Sequence, residues 1–258
     1  MACGFLDLVF PDECRICERP LRELSRIPVC GACLRQPAPL QAEYFCRACG
    51  TPFLDPRPLD EAGLCALCRS GLNSFDQVYA AGAYEGALRK LIHLFKFEGV
   101  RPLARPLGAF LAGALPRERT FDAIVPMPLH WRRRWQRGFN QSELLAREIG
   151  RRWRMPVRRL VRRKRATAPQ AGLTSAQRRT NVQGAFETIP GARLAGLWIL
   201  LIDDVLTTGA TADACARALK RAGAAGVALL TLARRDRHEG LTELEMANAA
   251  AAASRVEP

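Results

Sequence analysis

The 258-residue chain is predicted to be an α/β protein, a mostly parallel sheet with helices packed on it, preceded by a small cysteine-rich module. Three observations carry this. Leu197–Ile202 and Val227–Leu232 are continuous apolar runs, as expected of strands buried on both faces. Thr211–Ala222 between them reads as a helix closing on Gly223, so strand, loop, helix and strand make a right-handed βαβ unit. Eight of the ten cysteines fall in four C-x2-C pairs ahead of all this.

The chain divides into three zones. Residues 1–72 are dense in cysteine and proline, residues 73–238 alternate helix and strand patterns, and residues 239–258 are alanine-rich without an apolar period, as in a flexible tail. In the first zone Cys14-x2-Cys17 pairs with Cys30-x2-Cys33, and Cys46-x2-Cys49 with Cys65-x2-Cys68, an approximate internal repeat. Each C-x2-C presents two sulfurs on one tight turn, and two such turns make an S4 site suited to Zn²⁺. Gly31 and Gly50, beside the sulfurs, are placed where a turn needs positive φ. Disulfides would need an oxidising compartment, and iron–sulfur clusters also use four thiolates, but the evenly paired spacing favours two structural zincs. Cys3 and Cys215 are left over. Cys215 lies on the last helix and reads as a small core residue.

In the middle zone, Leu88, Leu91, Ile92 and Phe95 recur at helical spacing. Phe121–Pro126 reads as a short strand ending at Pro126-Met127-Pro128, and Gln141–Arg152 as a helix with Leu144, Leu145 and Ile149 inward. Trp198 is placed in the core and His93 on the surface of its helix. His130, beside a basic turn, is a candidate phosphate contact.

Composition excludes some classes. At 48% hydrophobic and 25% charged the chain is ordinary for a globular protein. Its apolar runs fall short of the roughly 18–20 residues that span a bilayer, and Met1–Phe10 lacks the features of a signal peptide. The expectation is a cytoplasmic protein without membrane insertion. The net charge of +14 is concentrated: Trp131–Thr180 holds 16 Lys and Arg against two acidic residues, and the rest is neutral. Such a window suits a polyanion, either substrate phosphates or single-stranded DNA, with Trp131, Trp135 and Trp153 available for stacking.

The most informative segment is Ile199–Thr211. A buried strand delivers Asp203 and Asp204 to its carboxyl end, where open α/β sheets bind ligands. The loop Thr207-Thr208-Gly209-Ala210-Thr211 then opens a helix, whose backbone N–H groups and dipole form an anion site. Carboxylates one loop away from a phosphate suit ribose hydroxyls. The spacing matches neither a Walker A loop nor a GxGxxG fingerprint.

All thirteen positions resemble the 5-phosphoribosyl diphosphate (PRPP) signature of type I phosphoribosyltransferases. Further pieces are similar to the ComF competence family. These are Tyr84-Glu85-Gly86, Leu91-Ile92-His93, Lys96-Phe97-Glu98-Gly99, Pro126-Met127-Pro128-Leu129, Arg137–Gln141, Arg165-x-Thr167-x2-Gln170-x2-Leu173, Arg178, Arg179 and Asn181. The likeness covers about residues 10–236, with Met127 in place of a smaller or β-branched residue. It implies a double zinc ribbon ahead of a type I phosphoribosyltransferase fold. It also implies that Asp203 and Asp204 hold the ribose hydroxyls, Thr207–Thr211 the 5′-phosphate, and the turn after Pro128 the diphosphate. Arg165–Arg179 would be a mobile closing loop, with Arg165 and Arg179 on the ligand. Mg²⁺ would accompany PRPP. Partners implied are PRPP, single-stranded DNA and other competence proteins. Two functions stay open: a transferase acting on PRPP, and a DNA-binding competence factor that keeps the PRPP site for regulation or as a relic.

Overall fold

The computed structural model describes residues 13–21, 25–71, 73–167 and 174–235. Cys3, the tail 239–258, and Gln170 and Leu173 of the closing stretch lie outside them. The cysteine-rich zone supplies short elements: α1 (Gly31–Arg35), the hairpin of β1 (Tyr44–Phe45) and β2 (Pro52–Phe53), and α2 (Ala66–Arg69). Next come β3 (Gln77–Ala83), α3 (Gly86–Phe97), α4 (Ala104–Ala112), β4 (Ala123–Pro126), α5 (Trp131–Arg137) and α6 (Gln141–Trp153). The chain continues with β5 (Val161–Arg163), α7 (Ser175–Val182), β6 (Phe186–Thr188), β7 (Trp198–Leu206), α8 (Ala210–Arg221) and β8 (Gly226–Arg234).

The main sheet has the order β3-β8-β7-β4, every pair parallel. Successive residues of β7 and β8 serve opposite faces, as the period of two demands. Leu200, Ile202, Leu230 and Leu232 pack under α3, α4 and α6 with Leu91, Leu107 and Leu145. Ile199, Leu201, Val227 and Leu229 pack under α8 and the β5–β6 ribbon with Leu219, Val161 and Phe186. The helical period of α3 is as expected, with Leu88, Leu91, Ile92 and Phe95 all buried. Cys215 is buried on α8, a small core residue whose thiol burial pushes up.

The two cysteine modules straddle the sheet. Cys14, Val29 and Cys33 join the first core, and Cys46, Cys49 and Cys65 join the second. The segment between them crosses the outer edge of β3, where the Leu40 N–H donates to the Ala81 carbonyl at 2.9 Å. Gly82 permits this crossing: a Cβ there would meet the Ala38 carbonyl at 2.9 Å.

Three expectations are corrected. Trp198 is not core; it is 43% exposed at the first position of β7, where its ring covers Gly226. Gly31 has no positive φ, because it opens α1 behind the N-cap Cys30, whereas Gly50 does, at 65°. Trp153 does not share the exposed surface of Trp131 and Trp135 but packs half-buried against the first core. The strand also runs past Ile202 to Leu206, because β8 pairs with it as far as Leu206 opposite Arg234.

Candidate functional site

The spacing of the cysteines becomes two clusters. Cys14, Cys17, Cys30 and Cys33 form one, and Cys46, Cys49, Cys65 and Cys68 the other, the sulfurs of each within 4.8 Å of one another. Backbone N–H groups point at the sulfurs in equivalent ways. The Cys30 N–H donates to Cys14 Sγ at 3.3 Å and the Cys65 N–H to Cys46 Sγ at 3.4 Å. Such donors favour thiolates, and four thiolates at this spacing fit a tetrahedral Zn²⁺.

The modules differ beyond their ligands. The Arg234 side chain, at the end of β8 and 2% exposed, donates to the Cys49 carbonyl and the Thr51 hydroxyl. Thr51 Oγ1 in turn lies 2.8 Å from Cys49 Sγ. The first module is met by the exposed Lys90 of α3, whose Nζ donates to the Ile16 carbonyl at 3.1 Å.

The acidic pair sits near the carboxyl end of β7. Lys96, in the last turn of α3, holds Asp204 through both carboxylate oxygens, at 2.9 and 2.8 Å. Ser142, in the first turn of α6, lies 3.3 Å from Asp203 Oδ1, which also accepts the Asp204 N–H at 2.9 Å. Burial, and then the charge of Asp204, pushes Asp203 up to about 7, with Lys96 acting the other way. Neither Lys96 nor Ser142 was singled out from the sequence, because these contacts join residues 108 and 61 positions apart. Lys96 did stand in a quoted segment, and Ser142 follows one.

The loop closes on α8 as expected. Gly209 is its N-cap with φ 79°, and the Thr208 hydroxyl accepts the Ala210 N–H at 3.4 Å. The helix begins at Ala210, one residue before the expected Thr211, and the glycine leaves the first N–H groups open to a close oxyanion. The turn after β4 is held beside it: the Met127 N–H donates to the Ile202 carbonyl at 2.8 Å, and Asn140 Nδ2 to the Met127 carbonyl at 3.0 Å. His130 is buried, its Nδ1 accepting the Arg132 N–H at 3.4 Å as the cap of α5. Burial, then Arg132, Arg163 and Arg133, holds it below the ordinary histidine range, so it is neutral at pH 7.

Among the arginines, the two expected on the ligand make other contacts. Arg165 donates to the Asn181 and Gln183 carbonyls, at 3.1 and 2.8 Å, and Arg179 lines a groove between α7 and α8. Two others face the acidic pair. Arg163 is pushed down to about 10 by burial and by Arg133, partly offset by Asp203. Burial also lowers Arg137, against the charge of Asp204. Partly buried guanidiniums near carboxylates are suited to a polyphosphate. Farther out, Glu143 gathers Arg147 and Arg159. Burial would raise its carboxyl, and those two arginines outweigh that and lower it. Among the described residues, no helix is long and apolar enough to cross a membrane.

Comparison with known proteins agrees with this arrangement. A family model described as a double zinc ribbon domain matches residues 5–69, so both cysteine clusters are structural zinc sites. The chain is 33% identical over 238 residues to the DNA utilization protein YhgH of Salmonella typhimurium, covering 88% of this chain and 99% of that one. It is 29% identical over 232 residues to competence protein F of Haemophilus influenzae, covering 85% and 90%. Among solved structures, orotate phosphoribosyltransferase from Aeropyrum pernix matches with a TM-score of 0.33 at 19% identity, over 60% of this chain and 71% of that one.

Proposed function

The chain belongs to the ComF family, and on that premise we propose that its α/β domain binds PRPP together with Mg²⁺. The 5′-phosphate sits on Thr207–Thr211, where N–H groups at the start of α8 and the threonine hydroxyls supply donors. Asp203 and Asp204 accept the ribose hydroxyls. The diphosphate lies toward the turn after Pro128, facing Arg137 and Arg163. Mg²⁺, when bound, would bridge ribose and diphosphate oxygens and neutralise their charge. The observation that carries this reading is the acidic pair at a strand end, one loop from a glycine-capped helix start. Calorimetry on Asp203→Ala/Asp204→Ala tests it. Heat of binding for PRPP with Mg²⁺ is expected in the parent and none in the variant; equal affinity in a folded, zinc-replete variant removes the reading.

A second reading rests on α5, which buries no residue and exposes Trp131 by 65% and Trp135 by 84%, one turn apart among four arginines. That surface suits single-stranded DNA through stacking and phosphate contacts. Affinity should fall with salt at a log–log slope of about −0.7 per phosphate neutralised, and Arg132→Glu/Arg133→Glu/Arg134→Glu should weaken all sequences alike. If that variant instead loses PRPP and keeps DNA, these arginines serve the small ligand.

A further inference from the structure

A cleft of about 930 Å³ lies at the carboxyl ends of β3 and β8, on the side of the sheet's ligand-binding edge away from β4. One wall is the hairpin of the second zinc module, with Phe53 and the 98% exposed Leu54. The other is Tyr84 and the first turn of α3, with Glu85 and Arg89. Its floor includes Arg235, whose N–H donates to the Leu206 carbonyl at 2.9 Å. Leu206 directly precedes Thr207, so cleft and phosphate loop share a backbone hydrogen bond.

Strand order sets the direction of any ligand. The turn after Pro128 follows β4, the acidic pair and phosphate loop follow β7, and the cleft lies over β8 and β3. Strands are spaced about 4.8 Å apart, so the cleft lies roughly 5–10 Å from β7, the reach of a ring attached to a ribose whose phosphate sits on the loop. A diphosphate over β4 and a group over β8 then approach the ribose from opposite sides. That is the geometry of in-line displacement at C1.

We propose that the cleft between the second zinc module and α3 is the acceptor site, and that its occupant is a planar nitrogen heterocycle of the nucleobase class. This deepens the PRPP reading and rests on it. Phe53 and Tyr84 offer aromatic faces, and Arg89 stands 5.9 Å over the Tyr84 ring, which extends that face. Glu85 accepts ring or amino N–H groups, and Arg235 donates to ring carbonyls. A cleft of this size with a few convergent polar groups is what a small ligand requires. In the transfer, a ring-nitrogen lone pair forms the bond to C1, and the C1–O bond breaks. Its electron pair leaves on the diphosphate, and the proton from the ring nitrogen passes to water at the open mouth. The second zinc module thereby does more than stabilise the fold: it supplies one wall of the site.

The test compares ribose 5-phosphate with AMP, GMP, CMP and UMP by calorimetry on the full chain. At least one nucleotide should bind 10-fold or more tighter than ribose 5-phosphate. Tyr84→Ala should reduce that advantage to under 3-fold and leave ribose 5-phosphate affinity unchanged. Leu54→Ser/Arg89→Ala, at two exposed positions, should also reduce it and guards against a misfolded Tyr84 variant; zinc content and circular dichroism check each. Equal binding of ribose 5-phosphate and all four nucleotides overturns the acceptor site and leaves the phosphate loop standing. So does a nucleotide preference untouched by both variants. If ribose 5-phosphate itself fails to bind, the PRPP reading falls first.

Discussion

The two zinc modules have the same ligands and the same N–H···S pattern, yet they are built into the molecule differently. The first touches the α3 side of the sheet through its apolar residues and a solvent-exposed Lys90. The second is locked to β8 by Arg234, a buried cation beside a cluster that carries a net negative charge once four thiolates hold Zn²⁺. Each module also reaches a different part of the candidate site. The helix bearing Lys90 ends at Lys96 on Asp204, and the strand bearing Arg234 continues to Arg235, bonded to the residue before the phosphate loop. A repeated ligand set therefore does not imply a repeated role. What surrounds the sulfurs decides how far metal binding is felt.

The largest effect expected follows from removing the metals one at a time. Each zinc is worth on the order of 10 kcal/mol to the structure it organises. Cys46→Ser/Cys49→Ser should remove one zinc by elemental analysis and destabilise the sheet domain itself, because the second cluster is part of its core. Cys14→Ser/Cys17→Ser should remove the other zinc and loosen α3 before the sheet. Hydrogen exchange reads the difference: β8 amides lose protection in the first variant and α3 amides in the second. The same loss pattern from both variants would erase the distinction.

A smaller effect isolates the clamp. Arg234→Met leaves the Cys49 carbonyl and the Thr51 hydroxyl without that donor, and hydrogen bonds to a charged group are worth about 1.5–3 kcal/mol each. We expect about 3 kcal/mol of destabilisation, or roughly 6–12 °C in Tm, and faster release of one zinc to a chelator. The matching change on the other module, Lys90→Met, removes an exposed contact and should stay within about 0.5 kcal/mol. Comparable losses from the two substitutions would show that burial of the arginine does not matter.

These asymmetries mark where the sequence could be read and where it could not. The zinc ligands, the strand–loop–helix with Asp203 and Asp204, and the buried face of α3 were legible because each is a local pattern with a fixed period or spacing. Arg234 was not, since nothing within β8 distinguishes a buried arginine at its end from an exposed one; its partners are 185 and 183 residues away. Trp198 misled for a related reason. It opens an apolar run, but the first residue of a strand lies outside the cover of the helices. α5 gave no signal because seven residues with two tryptophans and four arginines have no apolar face to bury. The acidic pair was found, while its counter-ion Lys96 came only with the packing of α3.

That counter-ion gives the smallest and most specific prediction. Asp203 faces Asp204 on its own strand, Lys96 on α3, Ser142 on α6, Arg163 on β5 and the buried Cys215 on α8. Burial and Asp204 place its folded pKa near 7, above the roughly 3.9 of an unfolded chain. As pH falls from about 7 to about 4 the folded state therefore binds the extra proton, and stability rises with acidification through that window. Ligand affinity runs the other way, because a carboxylate that accepts ribose hydroxyls must be ionised; PRPP affinity should rise with pH through about 7. Lys96→Met removes a charge that favours the ionised form, so the midpoint should move up by about one pH unit. Lys90→Met, on the same helix but facing the first zinc module, should leave it in place. PRPP calorimetry from pH 5.5 to 8.5 on both variants measures this. A midpoint that stays put in Lys96→Met, or moves equally in both, would show that α3 does not couple its end of the molecule to the acidic pair.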